Sequence, residues 1–349
     1  MKRFLIAVIA ALFGVSTIMI GSVFAQGGTA GEGFPPQSNL YNDAVLLARV
    51  LPLVAAFGIG FGIWRGKLGL RERKSAPTST TVIRHDWGTV IAHWANALGF
   101  MTGMVTGLLM VRGFNLGSTG SIILDWIPRA DEARGLFAIH YLAAGLTIFG
   151  VASHLTQHGI TGGFGLIPRS LKDLREGLGE LLVEYTGIAG GGGAALGIKL
   201  PKGLRTPLAQ TFAAFGLRTP KQLGKYLPAE KVFSYAPWAI IVTVIVITGI
   251  VKSFRYLYPI PPEFIATMTF LHDLSALAAI VMLGLHLAAV CLIPRNWPLL
   301  ISMFTTRVPR QHVEQHHPIW FKQLVAQEQG ESSASAAPDS APRAKESKA

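Results

Sequence analysis

The stretch LHDLSALAAIVMLGLHLAAV, residues 271–290, is an apolar run interrupted by two histidines, His272 and His286, and one carboxylate, Asp273. Lipid leaves no water for unpaired backbone groups, so a run of this length and apolarity is expected to cross the bilayer as an α-helix. At 100° and 1.5 Å per residue, the spacing puts both imidazoles within about 40° of one helix face and about 21 Å apart along the axis. One histidine then serves each leaflet. Ionisable groups at such depth are costly, which makes both functional candidates.

Outward from this run, the whole chain has the same character. It has 349 residues, 50% hydrophobic and only 14% charged, where a soluble domain carries about a quarter charged residues. With a mean hydropathy of +0.42, these figures exclude an ordinary soluble enzyme. Five apolar blocks, near 45–64, 88–111, 137–156, 234–254 and 265–293, are each long enough to span. The expected fold is an all-α membrane protein: a transmembrane four-helix bundle plus one extra N-terminal transmembrane helix and a cleavable signal peptide.

The signal is read from basic Lys2 and Arg3, a long apolar stretch, and Val23 and Ala25 at the positions a signal peptidase inspects, so residues 1–25 are expected to be removed. Residues 26–79 then hold a periplasmic N-terminus and the extra helix. With that N-terminus outside, the inner segments 65–87, 157–233 and 294–349 carry 23 Lys and Arg, against 6 at the outer ends. By the positive-inside rule, this is a multi-pass protein of a bacterial inner membrane with a cytoplasmic C-terminus. The net charge of +12 thus reports topology and not nucleic acid, since no basic stripe carries interleaved aromatics.

Within the long cytoplasmic loop 157–233, SLKDLREGLGELLVEY (170–185) reads as an amphipathic helix capped by Ser170 with Asp173, its Leu171, Leu174, Leu178 and Leu182 on one face. That face suits a membrane surface or a partner. The glycine-rich GIAGGGGAALG (187–197) reads as a connector, because no strand precedes it and no Lys-Ser/Thr follows it. Residues 326–349 are polar and of low complexity, the composition of a disordered tail.

The one cysteine, Cys291, rules out a disulfide within the chain, an iron-sulfur cluster held by this chain alone, and C-x-x-C-H haem attachment. Any redox centre must therefore hang on histidine. Five histidines lie in apolar blocks: His93, His140, His154, His272 and His286. The His272/His286 spacing suits two haems stacked across the bilayer, each iron taking two neutral imidazoles from facing helices. The bland alternative is isolated histidines hydrogen-bonded between helices. By depth, His140 is level with His272 on the outer side. On the inner side both His93 and His154 are level with His286, and His154 also stands fourteen residues from His140. Spacing alone leaves these two open.

These residues resemble the di-haem cytochrome b (gamma) subunits of membrane-bound formate dehydrogenases, with relatives among the nickel-iron hydrogenase cytochromes b. The resemblance spans about 80–325 and rests on His93-Trp94, IHYLAAG (139–145), GKYLPAEK (224–231), the His272/His286 helix and HHPIWF (316–321). It implies a di-haem cytochrome b domain over 80–325 with two haem b. His93 and His286 would ligate the inner iron, His140 and His272 the outer one, with His154 as the alternative inner ligand. It also implies a quinone site at the cytoplasmic end, near GKYLPAEK, with Tyr226, Glu230 and Lys231 as candidates. The family pattern places an Asn and a Gln where this chain has Leu227 and Glu230, so contacts to quinone would differ. Glu230 would be either a proton donor or a solvated interface charge. HHPIWF is implied to be an inner-surface structural motif, and no metal other than haem iron is expected. Near the outer ligands, Tyr141, Asp273, Arg134 and Arg255 would either tune that haem or meet its propionates, or be solvated helix-end groups, the last being the preferred reading.

The resulting expectation is a membrane-anchoring subunit with no catalytic residue for substrate oxidation. It would carry electrons from a molybdenum or tungsten alpha subunit, through an iron-sulfur beta subunit, to the quinone pool. A hydrogenase or another periplasmic oxidoreductase is the alternative donor, and a haem-free anchor or transporter the alternative class.

Overall fold

A computed structural model describes residues 39–72, 80–127, 133–161, 168, 170–181, 201–217 and 224–335. The segment read as a signal peptide, the glycine-rich 187–197, Leu182 and the end of the tail lie outside these residues. Among the described residues, five helices are long and apolar enough to cross a membrane: Asp43–Leu68, Trp87–Val111, Gly135–Thr161, Pro228–Phe254 and Pro262–Leu292. They correspond to the five blocks, with ends displaced by a few residues because polar termini continue each helix beyond its apolar stretch.

The first helix, α1 (Asn39–Glu72), packs along α3 (Ala133–Thr161). Gly58, Gly62 and Gly66 recur every fourth residue on its contact face, and a Cβ on Gly62 would stand 2.5 Å from the Ser153 carbonyl oxygen. Lipid offers no hydrophobic drive between helices, so close backbone approach through small residues supplies the attraction instead. Helix α2 (Trp87–Val111) starts at Asp86, whose carboxylate accepts from the Thr89 amide at 2.8 Å. It also packs closely on α3. The fourth and fifth spans, α6 (Pro228–Phe254) and α7 (Pro262–Leu292), form a second close pair. Across the α2–α3 and α6–α7 pairs, Phe100 meets Trp238 at 5.3 Å between ring centres.

Two small ribbons join what the apolar pattern leaves unconnected. β1 (Thr81–Ile83) pairs antiparallel with β4 (Arg307–Pro309), and β2 (Gly113–Asn115) with β3 (Ser121–Ile123). The first ties the entrance of α2 to the exit of α8 (Trp297–Thr305). It lies over a small core of Val82, Val308, Val313 and Trp320. HHPIWF thus contributes a packed tryptophan, Trp320: it spans the end of α9 (Arg310–His316) and the start of α10 (Pro318–Ser335).

Helix α10 corrects part of one expectation. It runs through residues 326–335, so the stretch read as a disordered tail begins as helix. The loop 157–233 is likewise not all loop. Thr161 ends α3, α4 (Leu171–Gly179) carries the expected Ser170/Asp173 capping box, and α5 (Lys202–Ala214) is a helix that composition did not announce. Leu171, Leu174 and Leu178 are exposed on α4.

Candidate functional site

Two pairs of histidine rings bridge the helix pairs. His140 on α3 and His272 on α7 have ring centres 6.5 Å apart, and His93 on α2 and His286 on α7 have ring centres 6.4 Å apart. All four are partly buried. A metal ion bound by two imidazole nitrogens at about 2.0 Å, each about 1.1 Å ahead of its ring centre, separates the centres by about 6.3 Å. Both pairs fit one iron held between two imidazoles, and each pair joins a helix of the α2–α3 pair to α7.

The remaining intramembrane histidine, His154, faces elsewhere. Its Nε2 lies 2.7 Å from Nε2 of His158, one turn along the same helix. The geometry thus brings His286 against His93, while the equal H-x13-H spacing on α3 carries no information about ring direction. Distance along one helix cannot report which neighbour stands opposite.

His140 and His272 are each held from behind. His140 Nδ1 lies 2.9 Å from the Thr106 hydroxyl on α2, and His272 Nδ1 lies 2.9 Å from the Thr248 hydroxyl on α6. The sequence reading passed over both threonines. The signal that could have found them is the repeated Thr-Gly, at 106–107 and 248–249, on the helix preceding each H-x13-H helix. Asp273 is corrected by the structure: it is buried, accepts from the Asn115 amide at 2.7 Å and faces Lys252 at 4.0 Å. It is therefore a strut between α7, β2 and α6 and not a solvated charge. Arg255 donates to its neighbour Tyr256 at 2.6 Å, and the side chain of Arg134 lies outside the described residues.

The end of the bundle that carries Arg84 and His317 is a cationic, aromatic corner. Arg84 lies over the rings of Tyr226 and Trp320 at 5.8 and 5.9 Å, and Lys225 over the same rings at 5.7 and 5.3 Å. Tyr226 meets Tyr235 edge to face at 5.7 Å. Glu230 accepts from the Leu227 amide at 3.2 Å and stands 3.8 Å from Arg84, so it is a paired cap and not a free interface charge. Lys231 opens the π-helical turn Lys231–Tyr235 that follows the first turn of the fourth span. Burial holds His85 far below the ordinary imidazole range, at about 2, with Arg84 and Lys225 pushing the same way. Burial also lowers His317 to about 4 while its Nδ1 donates to the Gly224 carbonyl at 2.7 Å. That bond fastens HHPIWF to the beginning of GKYLPAEK.

The profile of the prokaryotic cytochrome b561 family matches residues 84–306, which includes every histidine of both ring pairs. The chain belongs to the prokaryotic cytochrome b561 family. It is accordingly a multi-pass membrane cytochrome b of electron transport, and its family binds b haem. Helix α1 and the segment from β4 onward lie outside the matched span. No curated protein matches the chain.

Proposed function

We propose that this cytochrome b561 is the di-haem membrane subunit of a respiratory formate dehydrogenase. The observation that supports the di-haem part of this reading is the pair of imidazole couples at 6.5 and 6.4 Å on shared helix α7; the formate donor rests on the resemblance. His140 and His272 would hold one b haem toward the outer face, and His93 and His286 a second toward the cytoplasmic face. Bound b haem supplies one-electron exchange between ferrous and ferric iron. The chain's part is to aim the imidazoles, hold them apart by half a membrane and keep water from the iron sites. Electrons would enter from a periplasmic molybdenum or tungsten subunit through an iron-sulfur subunit, and leave to quinone at the cytoplasmic face. Tyr226, Glu230 and Lys231 would line the site where quinone is reduced, with Glu230, 3.8 Å from Arg84, as the group that would pass on a cytoplasmic proton.

The family match supports a hydrogenase donor equally, and the donor is what the experiment reads. Anaerobic membranes containing the native complex are given formate or hydrogen, and the reduced b-haem absorption is followed. Formate-dependent reduction, reversed by added quinone, is the expected result. Reduction by hydrogen alone moves the chain to a hydrogenase, and reduction by neither overturns both donors.

A further inference from the structure

The outer histidine pair is built from one small module used twice. Thr106 and Gly107 on α2 face His140 on α3, and Thr248 and Gly249 on α6 face His272 on α7. In both copies the hydroxyl is 2.9 Å from Nδ1. It is also 2.7 Å from the carbonyl four residues back, Thr102 or Val244. Both threonines are buried, at 4% and 2% exposure, so water does not compete for these bonds.

The proton assignment follows from what each atom can do. A threonine hydroxyl has one hydrogen and two lone pairs, and a backbone carbonyl only accepts. The hydroxyl hydrogen goes to the carbonyl, so its oxygen accepts from Nδ1–H. In a neutral imidazole that leaves Nε2 without a proton, the form that binds metal. The reverse assignment would put protons on both Nε2 atoms, turning two N–H groups into the space between the rings. The glycines complete the fit. A Cβ at Gly107 would lie 3.6 Å from His140 Cε1, and one at Gly249 would lie 3.3 Å from His272 Cε1, so each ring rests against the backbone of the threonine's helix.

We infer that Thr106 and Thr248 are positioning residues for the outer haem: each fixes its histidine as the Nδ1–H tautomer and strengthens Nε2 as an electron donor to iron. This rests on the proposal that His140 and His272 hold haem. A hydrogen bond from Nδ1–H to an acceptor raises ligand basicity, which favours ferric over ferrous iron and keeps the potential low. Among the described residues, no hydroxyl of this kind is recorded against His93 or His286, so the two sites differ by this module. The inner half of the repeat diverges as well: thirteen residues before Thr106 stands His93, and thirteen before Thr248 stands Tyr235.

The test uses the full chain purified in detergent with its haem. Thr106→Val and Thr248→Val keep shape and remove the hydroxyl, whereas Thr106→Ser and Thr248→Ser keep it. Haem per chain, an optical redox titration and the ferric electron paramagnetic resonance spectrum are recorded for each. The expected result is that one of two midpoint potentials rises in each valine variant and rises further in the double variant. The other potential stays put, one ferric signal shifts, and serine restores both readings. Loss of one haem in the valine variants with retention in the serine variants agrees with the same account. Unchanged potentials and spectra in a double valine variant carrying both haems would overturn it, as would serine variants that behave like valine. Absence of haem from the unaltered chain is a separate failure, that of the haem-ligand proposal itself.

Discussion

Arg65 on the first span and Ser153 on the third are joined by a 3.0 Å hydrogen bond, and neither residue is reached by solvent. The same guanidinium donates at 3.0 Å to both Thr89 on α2 and Gln157 on α3, and lies 3.9 Å from Asp86. Gly88 leaves room for it, because a Cβ there would collide with the Arg65 side chain. The helix that lies outside the family span is thereby locked to the two helices that begin the family domain. Removing one partner of a buried, hydrogen-bonded charge network costs about 3–5 kcal/mol. Arg65→Ala is expected to lower the thermal midpoint of the detergent-solubilised chain clearly. A midpoint equal to that of the unaltered protein would show that the network contributes nothing.

Close packing by glycine should matter as much as the charge. Gly62→Leu would drive a side chain into the Ser153 carbonyl oxygen and Thr156. It is expected to detach α1 while leaving the haem spectrum in place, since none of the four histidines lies on α1. Cysteine pairs introduced along α1 and α3 measure this: cross-linking falls in the leucine variant if the contact is the one described, and persists if it is not.

The separate roles of two histidines on equal spacing are open to a direct comparison. His93→Ala is expected to lose one haem of two. His154→Ala is expected to lose none, because His154 turns to His158. Haem counts per chain decide between them, and loss on His154→Ala with retention on His93→Ala would reverse the assignment.

Much of this was legible in the sequence because lipid makes the reading coarse. A run such as 271–290 has no alternative to a helix, and a histidine inside it is conspicuous. What stayed hidden depends on direction and not on position. Arg65 counts as one more positive charge at an inner boundary until the structure puts it inside three helices. Thr106 and Thr248 look like ordinary threonines that bond back to their own helix, which they do. Their second bond, to an imidazole on a neighbouring helix, is a property of the packing. Glu230 sits near a helix start, where a carboxylate usually meets water, and Asp273 follows a histidine inside an apolar run; only Arg84 in the first case, and β2 and Lys252 in the second, reveal them as paired. The ribbon between β1 and β4 joins strands of three residues more than two hundred positions apart, too short for any period to show.

Acid should loosen the inner corner. Folding holds the His317 pKa at about 4 against 6.5 for a free imidazole. The unfolded chain therefore binds more protons between those values, and stability falls as the pH drops. The contribution, up to about 3 kcal/mol, is complete above about pH 6.5 and lost as pH falls toward 4. His317→Asn keeps a donor for the Gly224 carbonyl without a titrating ring. It is expected to flatten the fall of the thermal midpoint between pH 6.5 and 4, and an unaltered slope would contradict the assignment.

Glu230→Gln keeps an acceptor for the Leu227 amide while removing the charge facing Arg84 and the exchangeable proton. If Glu230 passes protons to quinone, reoxidation of the reduced cytochrome by added quinone is expected to slow by about 10²-fold with haem content unchanged. A rate within twofold of the unaltered chain would remove Glu230 from that role.

The central claim is that four histidines hold two b haems in one chain. A pyridine haemochrome assay with a reduced-minus-oxidised spectrum on the purified chain, alongside His272→Ala and His286→Ala, tests it most directly. Two b-type haems per chain, falling to one in each variant, is the result the account predicts. A folded chain without haem, from cells able to supply it, or two haems retained in both variants, would contradict it.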